Sequence, residues 1–455
     1  MSIVDKFRKN KIISFPFYEL TRSKEYKEYL DFFKDTFDWE KEKIDNWQFD
    51  KVREMLLYAY EHVPFYKKYY DDNGVNPYLV KSWTDFEKIP CITKAIVKEN
   101  EELFYSDEKD ALKCRFDYTG GSTGQPMRFL IDEDIYQRED AAYRYYWNSV
   151  GFNVGEKCII LRGRKIYTES NKKVYEYNQF WNYMYLDSLY LSSDFFSLYD
   201  DAIKKYKANR IQAYPSSLIM LAKLYQIKGV TPPKFEYIFL GSENVEEEQL
   251  EFLKKTFSCK KIYNQYGHSE KVVLALQIPD GEALAFNPFY GYFELLDESN
   301  DVIKDEGRLG EIVGTGFSKS MPFIRYRTSD QAYLTNEVSN SYMRYWKKIK
   351  KIEGRLHEFI YTNDGRKVSI CTVGGAHIAE LNNVIDMQYE QEEEGSLIVN
   401  ILAEYIVSEE EKKIIAQKYE KLFDNKINCE VHQVDNLKRT SRDKKIMLVQ
   451  HIRDN

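Results

Sequence analysis

No apolar run in the 455 residues approaches the roughly 18 that a membrane-spanning helix needs, so no transmembrane segment is expected. The opening residues, Met1-Ser2-Ile3-Val4-Asp5-Lys6-Phe7-Arg8-Lys9-Asn10, lack the apolar centre of a secretion signal, which makes the cytoplasm the expected location. Cysteine is sparse. Cys91, Cys114, Cys158, Cys259, Cys371 and Cys429 stand singly, without the close pairs that zinc sites and redox motifs use, and buried free thiols are the expectation. An excess of positive charge is lacking too: the net charge is −7 with both signs interspersed, which argues against a nucleic-acid binder. There is no internal repeat, no low-complexity tract, and no Gly-x4-Gly-Lys-[Ser/Thr] phosphate loop, since Gln125 follows Gly124 where that motif requires lysine.

What is present is a chain long enough for two or three domains, with the 43% hydrophobic and 31% charged content of an ordinary globular protein. Its most distinctive stretch is Tyr118-Thr119-Gly120-Gly121-Ser122-Thr123-Gly124-Gln125-Pro126. Glycines there free the backbone, and hydroxyl and amide groups are left to converge on an anion, most often a phosphate. A plain polar turn is the alternative reading of the same residues.

Around residues 46–63, Val52, Met55, Leu56, Ala59 and Val63 recur at helical spacing and Pro64 ends the pattern. From 155 to 270, short apolar runs at Cys158, Arg210, Tyr237 and Lys261 alternate with helical stretches, one of them opened by Pro215 and Ser216. Such alternation predicts a mostly parallel sheet covered by helices, with ligands at the carboxyl ends of its strands. Strands and tight turns follow after 285. The last hundred residues read as a hairpin around Asn363-Asp364-Gly365, a helix from Gly375, strands at 384–390 and 397–403, a helix at 408–423 and a strand at 427–434. The fold class is therefore α/β, a large amino-terminal domain and a small α+β domain of β-α-β-β-α-β order. The expected limits are 1–353 for the large domain (1–117 helical leader, 118–285 α/β core, 286–353 β subdomain), 354–357 for a hinge and 358–455 for the small domain.

Further words punctuate this frame in a definite order. They are His62-Val63-Pro64-Phe65-Tyr66, Asp85-Phe86-Glu87-Lys88-Ile89-Pro90, Thr93-Lys94, Tyr266-Gly267-His268-Ser269-Glu270, Tyr326-Arg327-Thr328-Ser329-Asp330, Gly354-Arg355 and Arg439-Thr440-Ser441-Arg442-Asp443-Lys444-Lys445. With the Gly-rich loop, they resemble the adenylate-forming ligases, and among those the phenylacetate-CoA ligase and CapK-like capsular polysaccharide family. The resemblance spans nearly the whole chain and implies an enzyme that uses ATP and Mg2+ to join a carboxylate to AMP.

It also implies roles. Thr119, Gly120, Gly121, Ser122, Thr123 and Gly124 would hold the ATP phosphates. Glu270 would ligate Mg2+ and Ser269 would donate to the α-phosphate. Gly241, Ser242, Glu243, Asn264, Tyr266 and Gly267 would lie along the adenine and ribose, and Asp330 and Arg355 would bind the ribose. Lys444 would be the mobile adenylation lysine, with Lys445 adjacent as the alternative. Tyr214, Ser216 and His268 would line the substrate pocket. His357 stands where relatives place a hinge aspartate, and Asp443 where they place glycine. No cysteine lies between Lys271 and Asn287, so no structural zinc is expected. His62, His377 and His432 read as structural.

The leading functional expectation is transfer of the activated acyl group to an amine or hydroxyl acceptor, a sugar among the candidates, in cell-surface polysaccharide synthesis. An acyl- or aryl-CoA ligase that uses the CoA thiol is the alternative, and an inactive nucleotide-binding relative the third. The resemblance is also compatible with a homodimer.

Overall fold

The computed structural model describes residues 22–119, 127–153, 155–355, 359–369, 384–439 and 445–452. The chain forms two compact units, each drawn from two stretches: residues 1–154 with 264–352, and residues 155–263 with 353–455.

In the first unit, helix Lys24–Asp35 begins at Ser23, whose hydroxyl accepts the Tyr26 N–H. Helix Lys41–His62 buries Ile44, Val52, Met55, Leu56 and Ala59 along one stripe, as the sequence periodicity requires. Pro64 ends that helix and opens the next, Pro64–Asp72, because a proline lacks only an N–H that the first turn leaves unbonded anyway. The Gly-rich loop joins two antiparallel strands, Cys114–Tyr118 and Arg128–Asp132. At the end of the second strand Asp132 caps helix Glu133–Ser149 by accepting the Ile135 N–H at 3.0 Å. Its other oxygen accepts from the Ser318 hydroxyl and the Lys319 and Ser320 N–H groups, which fixes the helix start to a distant turn.

Seven neighbouring strands that lie wholly or mostly in this unit run in the order Gly291–Leu296, Leu309–Gly316, Tyr326–Thr335, Lys348–Arg355, Leu284–Phe286, Leu274–Gln277, Lys261–Gly267. The strand expected at Lys261 to Tyr263 extends to Gly267, because Gln265, Tyr266 and Gly267 pair antiparallel with Leu276, Ala275 and Leu274. A bulge interrupts the pairing of Leu309–Gly316 with Tyr326–Thr335. Ile312 alone faces Thr328, Ser329 and Asp330, since Glu311 pairs with Gln331 and Val313 with Arg327. Arg325 is buried beside Glu294, at 2.9 Å, and anchors the entry to that strand.

The second unit contains the parallel sheet anticipated from the alternating pattern. Its order is Tyr237–Gly241, Arg210–Ala213, Cys158–Leu161, Tyr183–Leu186, with Tyr175–Asn178 antiparallel at the edge. Helices Phe196–Tyr206, Pro215–Ile227 and Glu247–Phe257 close over it, and Leu218, Leu221, Leu224, Leu253 and Phe257 are fully buried with Ile159, Ile211 and Ile238.

The carboxyl-terminal part carries a four-stranded sheet ordered Asn428–Gln433, Ser396–Ala403, Val384–Gln391, Leu448–Gln450. Helix Glu409–Leu422 packs on it through Ile415 and Tyr419. Its start is a capping box in which Ser408 and Glu411 satisfy each other's backbone N–H groups. The hairpin Phe359–Tyr361 with Lys367–Ser369 forms as expected around Asp364 and Gly365. The helix expected from Gly375 lies outside the described residues. Among the described residues no helix is long and apolar enough to cross a membrane.

Candidate active site

Three groups of the residues singled out in the sequence are assembled by this fold. The first lies in the first unit, where strand Lys261–Gly267 and the bulge at Thr328 to Asp330 bring two words together across 64 residues of chain. The Tyr266 hydroxyl donates to Asp330 Oδ2 at 2.7 Å. His268 Nε2 lies against the same hydroxyl and 3.4 Å from Asp330 Oδ2. His268 Nδ1 is buried and has no hydrogen-bond partner among the described residues. Tyr326 donates to Glu270 Oε1 at 3.2 Å.

The bulge is what presents Asp330. Thr328 Oγ1 donates to the Ile312 carbonyl and accepts the Asp330 N–H, while Ser329 N–H donates to Glu311. Ser329 takes the left-handed conformation, φ 66°, that this turn demands. Asp330 is thus buried, fixed by its own backbone, and held on one oxygen by a phenol.

Asn264 donates its N–H to Gln277 Oε1 at 2.8 Å and accepts the Gln265 N–H, so its side chain secures the start of the Tyr266 word. Thr119 donates its N–H to the Met127 carbonyl at the neck of the Gly-rich loop, and its hydroxyl accepts the Met127 N–H at 2.9 Å. The loop positions Gly120, Gly121, Ser122, Thr123 and Gly124 lie outside the described residues.

The second group belongs to the second unit and sits where three parallel strands end in register. Leu161 pairs with Ala213, and Ala213 with Leu240, so the next residues of each strand emerge side by side. Tyr214 donates its N–H to the Leu161 carbonyl. The Glu243 carboxylate accepts both the Ser216 N–H at 2.9 Å and the Ser216 hydroxyl at 3.1 Å, which places a negative charge on the N-terminus of helix Pro215–Ile227. Ser242, at φ 72°, accepts a hydrogen bond from Arg162 at 2.9 Å. Tyr214, Ser216, Ser242 and Glu243 were singled out in the sequence, and Arg162, which joins them here, was not. Its signal was its place directly after a buried strand.

The third group is at the carboxyl-terminal word. Lys445 Nζ is 2.7 Å from Asp386 Oδ1, with both side chains buried, 5% and 3% exposed. Gln388, two residues along the same strand, donates to the carbonyls of Lys438 and Ile446 and accepts the Lys438 N–H. Arg439 and Lys445 form a bridge that closes the word at its base. Lys445 is therefore committed to a buried ion pair. Lys444 lies outside the described residues, as does His357; for Arg355 the backbone alone is described, at the end of strand Lys348–Arg355. Of the three histidines read as structural, His62 stacks on Tyr58 and lies 2.9 Å from Asp107, His432 pairs with Glu430 at the surface, and His377 falls outside the described residues.

An α/β core whose strand ends carry Gly/Ser/Glu turns, a β subdomain that presents an aspartate and a small α+β domain are the arrangement of the adenylate-forming ligase fold. The fold is that of solved members: 2-hydroxyisobutyryl-CoA ligase in the postadenylation state, in complex with R3-HIB-AMP, superposes over 91% of each chain with a TM-score of 0.69 at 16% identity. The same enzyme with 2-HIB-AMP and CoA in the thioesterification state gives 0.57 over 91% of each chain.

In sequence the chain is similar to CapK and to the phenylacetate-CoA ligases. Residues 360–451 match the model of the CapK C-terminal domain. Protein CapK of Staphylococcus aureus is 25% identical over 395 residues, 85% of this chain and 84% of that protein. Phenylacetate-coenzyme A ligase of Pseudomonas putida is 23% identical over 324 residues, 69% of this chain and 71% of that protein. In sequence the chain is thus similar to AMP-forming ligases, and in fold it matches them.

Proposed function

We propose that the protein activates a carboxylate as its acyl-adenylate, with release of pyrophosphate from ATP, and passes the acyl group to an amine or hydroxyl acceptor in the synthesis of a cell-surface polysaccharide. The observation that carries the nucleotide half of this reading is the meeting of two words, in which Tyr266 reaches Asp330 and Tyr326 reaches Glu270. Asp330 is an acceptor-only group held in place before any ligand arrives, which suits it to receive the two ribose hydroxyls. One of its oxygens already takes the Tyr266 hydroxyl, so ribose binding enters an existing network.

The carboxylate of Glu270 receives one phenolic hydrogen bond, from Tyr326, and Oε2 has no donor among the described residues. That donor set fits Mg2+, which takes one or two carboxylates and completes its shell with phosphate oxygens and water. When bound, Mg2+ would neutralise phosphate charge. Ser269 would donate to the α-phosphate, and Thr119 through Gly124 would hold the β- and γ-phosphates. Gly241, Ser242, Glu243, Asn264 and Gly267 would bound the adenine, and Arg355 the ribose. Lys444 would bridge the carboxylate and the α-phosphate as charge builds between them. Its neighbour Lys445 is unsuited to that task because Asp386 holds it in a buried pair. Tyr214, Ser216 and His268 would face the carboxylate, and His357 would lie at the hinge.

The polysaccharide setting rests on the resemblance of the chain's words to the CapK-like capsular polysaccharide family, to which the similarity with protein CapK adds. A CoA thiol as acceptor is the second reading, supported by the phenylacetate-CoA ligase relatives and by the CoA-ligase fold. Pyrophosphate release from ATP and Mg2+ against a panel of carboxylates tests the first step. The expected result is release with one class of acid, lowered by about 100-fold or more in Lys444→Ala. Adding CoA, amino sugars and amines to the active acid then separates the acceptors. Binding of ATP without release for any acid in the panel would reject the ligase reading in favour of a nucleotide-binding relative.

A further inference from the structure

The turn after strand Cys158–Leu161 carries two arginines, Arg162 and Arg164, and the fold treats them differently. Arg164 is neutralised: it lies 3.0 Å from Glu176 and over the Tyr185 ring. Arg162 is half-buried, bonded to the Ser242 hydroxyl at 2.9 Å and stacked over Tyr214 with 5.2 Å between guanidinium carbon and ring centroid. No carboxylate among the described residues pairs with it. Glu243, next to Ser242 in sequence, is engaged by the Ser216 N–H and hydroxyl instead.

A guanidinium held by one neutral hydroxyl and one aromatic face keeps most of its five donors unused, yet its position is set. It stands at the carboxyl end of a parallel sheet, where α/β folds bind their ligands. Ser242, its hydroxyl partner, is in the left-handed region, a strained state for a residue with a side chain and one often retained at binding sites.

We propose that Arg162 is an anion receptor that selects the substrate: it takes a carboxylate or phosphate that the substrate carries in addition to the carboxyl group being activated. This rests on the ligase reading for the identity of the substrate, but the anion site itself does not. The substrate class is then a dicarboxylate, or a carboxylate that bears a phosphate. The fork geometry of arginine suits a bidentate bond to either oxyanion, and Ser242 and Tyr214 aim the fork beforehand.

The test is titration calorimetry of the full chain without ATP, followed by pyrophosphate release on the same ligands. The probes are glutarate against butyrate, glucuronic acid 1-phosphate against glucuronic acid, CoA, and ATP alone, with wild type, Arg162→Gln and Arg162→Lys. Thermal unfolding confirms that the variants fold. The expected result is that the doubly anionic member of at least one pair binds tighter than its partner by about 10-fold or more. Arg162→Gln abolishes that preference, and Arg162→Lys, which keeps the charge but loses the fork, restores part of it.

Equal binding of both members in wild type, or a preference that Arg162→Gln leaves unchanged, overturns the proposal. So does an Arg162 dependence confined to CoA or to ATP, which would give the anion to the acceptor or to the nucleotide. An Arg162-dependent preference without pyrophosphate release would leave the anion site standing and remove the ligase reading. Release that ignores the second anion would do the reverse.

Discussion

Ser329 and Lys223 show at the scale of single residues what the fold imposes on its sequence. Ser329 holds φ 66° at the centre of the bulge that presents Asp330. A side chain in that conformation costs about 1 kcal/mol, so Ser329→Gly is expected to stabilise the protein by about 0.5–1 kcal/mol, read as a rise in Tm. Lys223 is fully buried in helix Pro215–Ile227, with its ammonium 5.3 Å from the Phe252 ring centroid. Burial pushes its ammonium down from 10.5 to about 8. The folded chain sheds this proton before the unfolded chain does, so stability rises as pH climbs from 8 to 10.5, and the penalty is fully present below 8. Lys223→Met is expected to add about 1–2 kcal/mol at neutral pH, with solvent screening allowed for, and to lose that advantage by pH 10.5; urea unfolding across the range checks it.

At the scale of elements, the carboxyl-terminal word is organised by one strand. Asp386 and Gln388 are two residues apart on Val384–Gln391 and hold the two sides of the word by side chains alone. Removing one member of the buried pair leaves the other charge without compensation. Asp386→Ala is therefore expected to destabilise by about 3–5 kcal/mol, whereas Asp386→Ala with Lys445→Met recovers most of that loss. Equal unfolding midpoints for the single and double variants would show that the pair is not what holds the word. Helix boundaries at this scale were readable in advance: Pro215 opens its helix, Pro64 ends one, and the helix expected at 408–423 runs over Glu409–Leu422. The bulge at Thr328 to Asp330 was not readable, because it depends on which residues of a partner strand lie opposite.

At the scale of the whole molecule, the second unit joins stretches that are more than a hundred residues apart. Glu404, at the end of strand Ser396–Ala403, receives Lys228 at 2.8 Å and the Ser193 hydroxyl. Ile385 and Leu402 reach the core formed by Leu218 and its neighbours. Burial pushes the Glu404 carboxyl up, but Lys228 and Ser193 outweigh it and hold the group below its usual 4.5. This contact is complete above pH 4.5 and is lost as pH falls through the lowered value. Glu404→Ala is expected to cost about 1–2 kcal/mol and to speed hydrogen exchange in Val384–Gln391, with no further change on adding Lys228→Ala. An additive effect of the two substitutions would reject the coupling.

The sequence by itself carried the resemblance to adenylate-forming ligases. Its words are local, each a few residues whose type is set by a turn, a cap or a phosphate, and local chemistry survives in sequence when only a quarter of the residues match those of a relative. The α/β alternation and the β-rich stretch were legible for the same reason, since periodicity records which face of each element is buried. Tertiary structure alone decided which of these words meet and which charges remain available. Asp330 is bound by a tyrosine 64 residues away, Lys445 is consumed by an aspartate 59 residues away, and Glu243 is turned toward Ser216. Arg162 is left with a hydroxyl and a ring. Pairings of that kind are set by strand register and by the competition among neighbours for each donor and acceptor, and neither is written in any short stretch of chain.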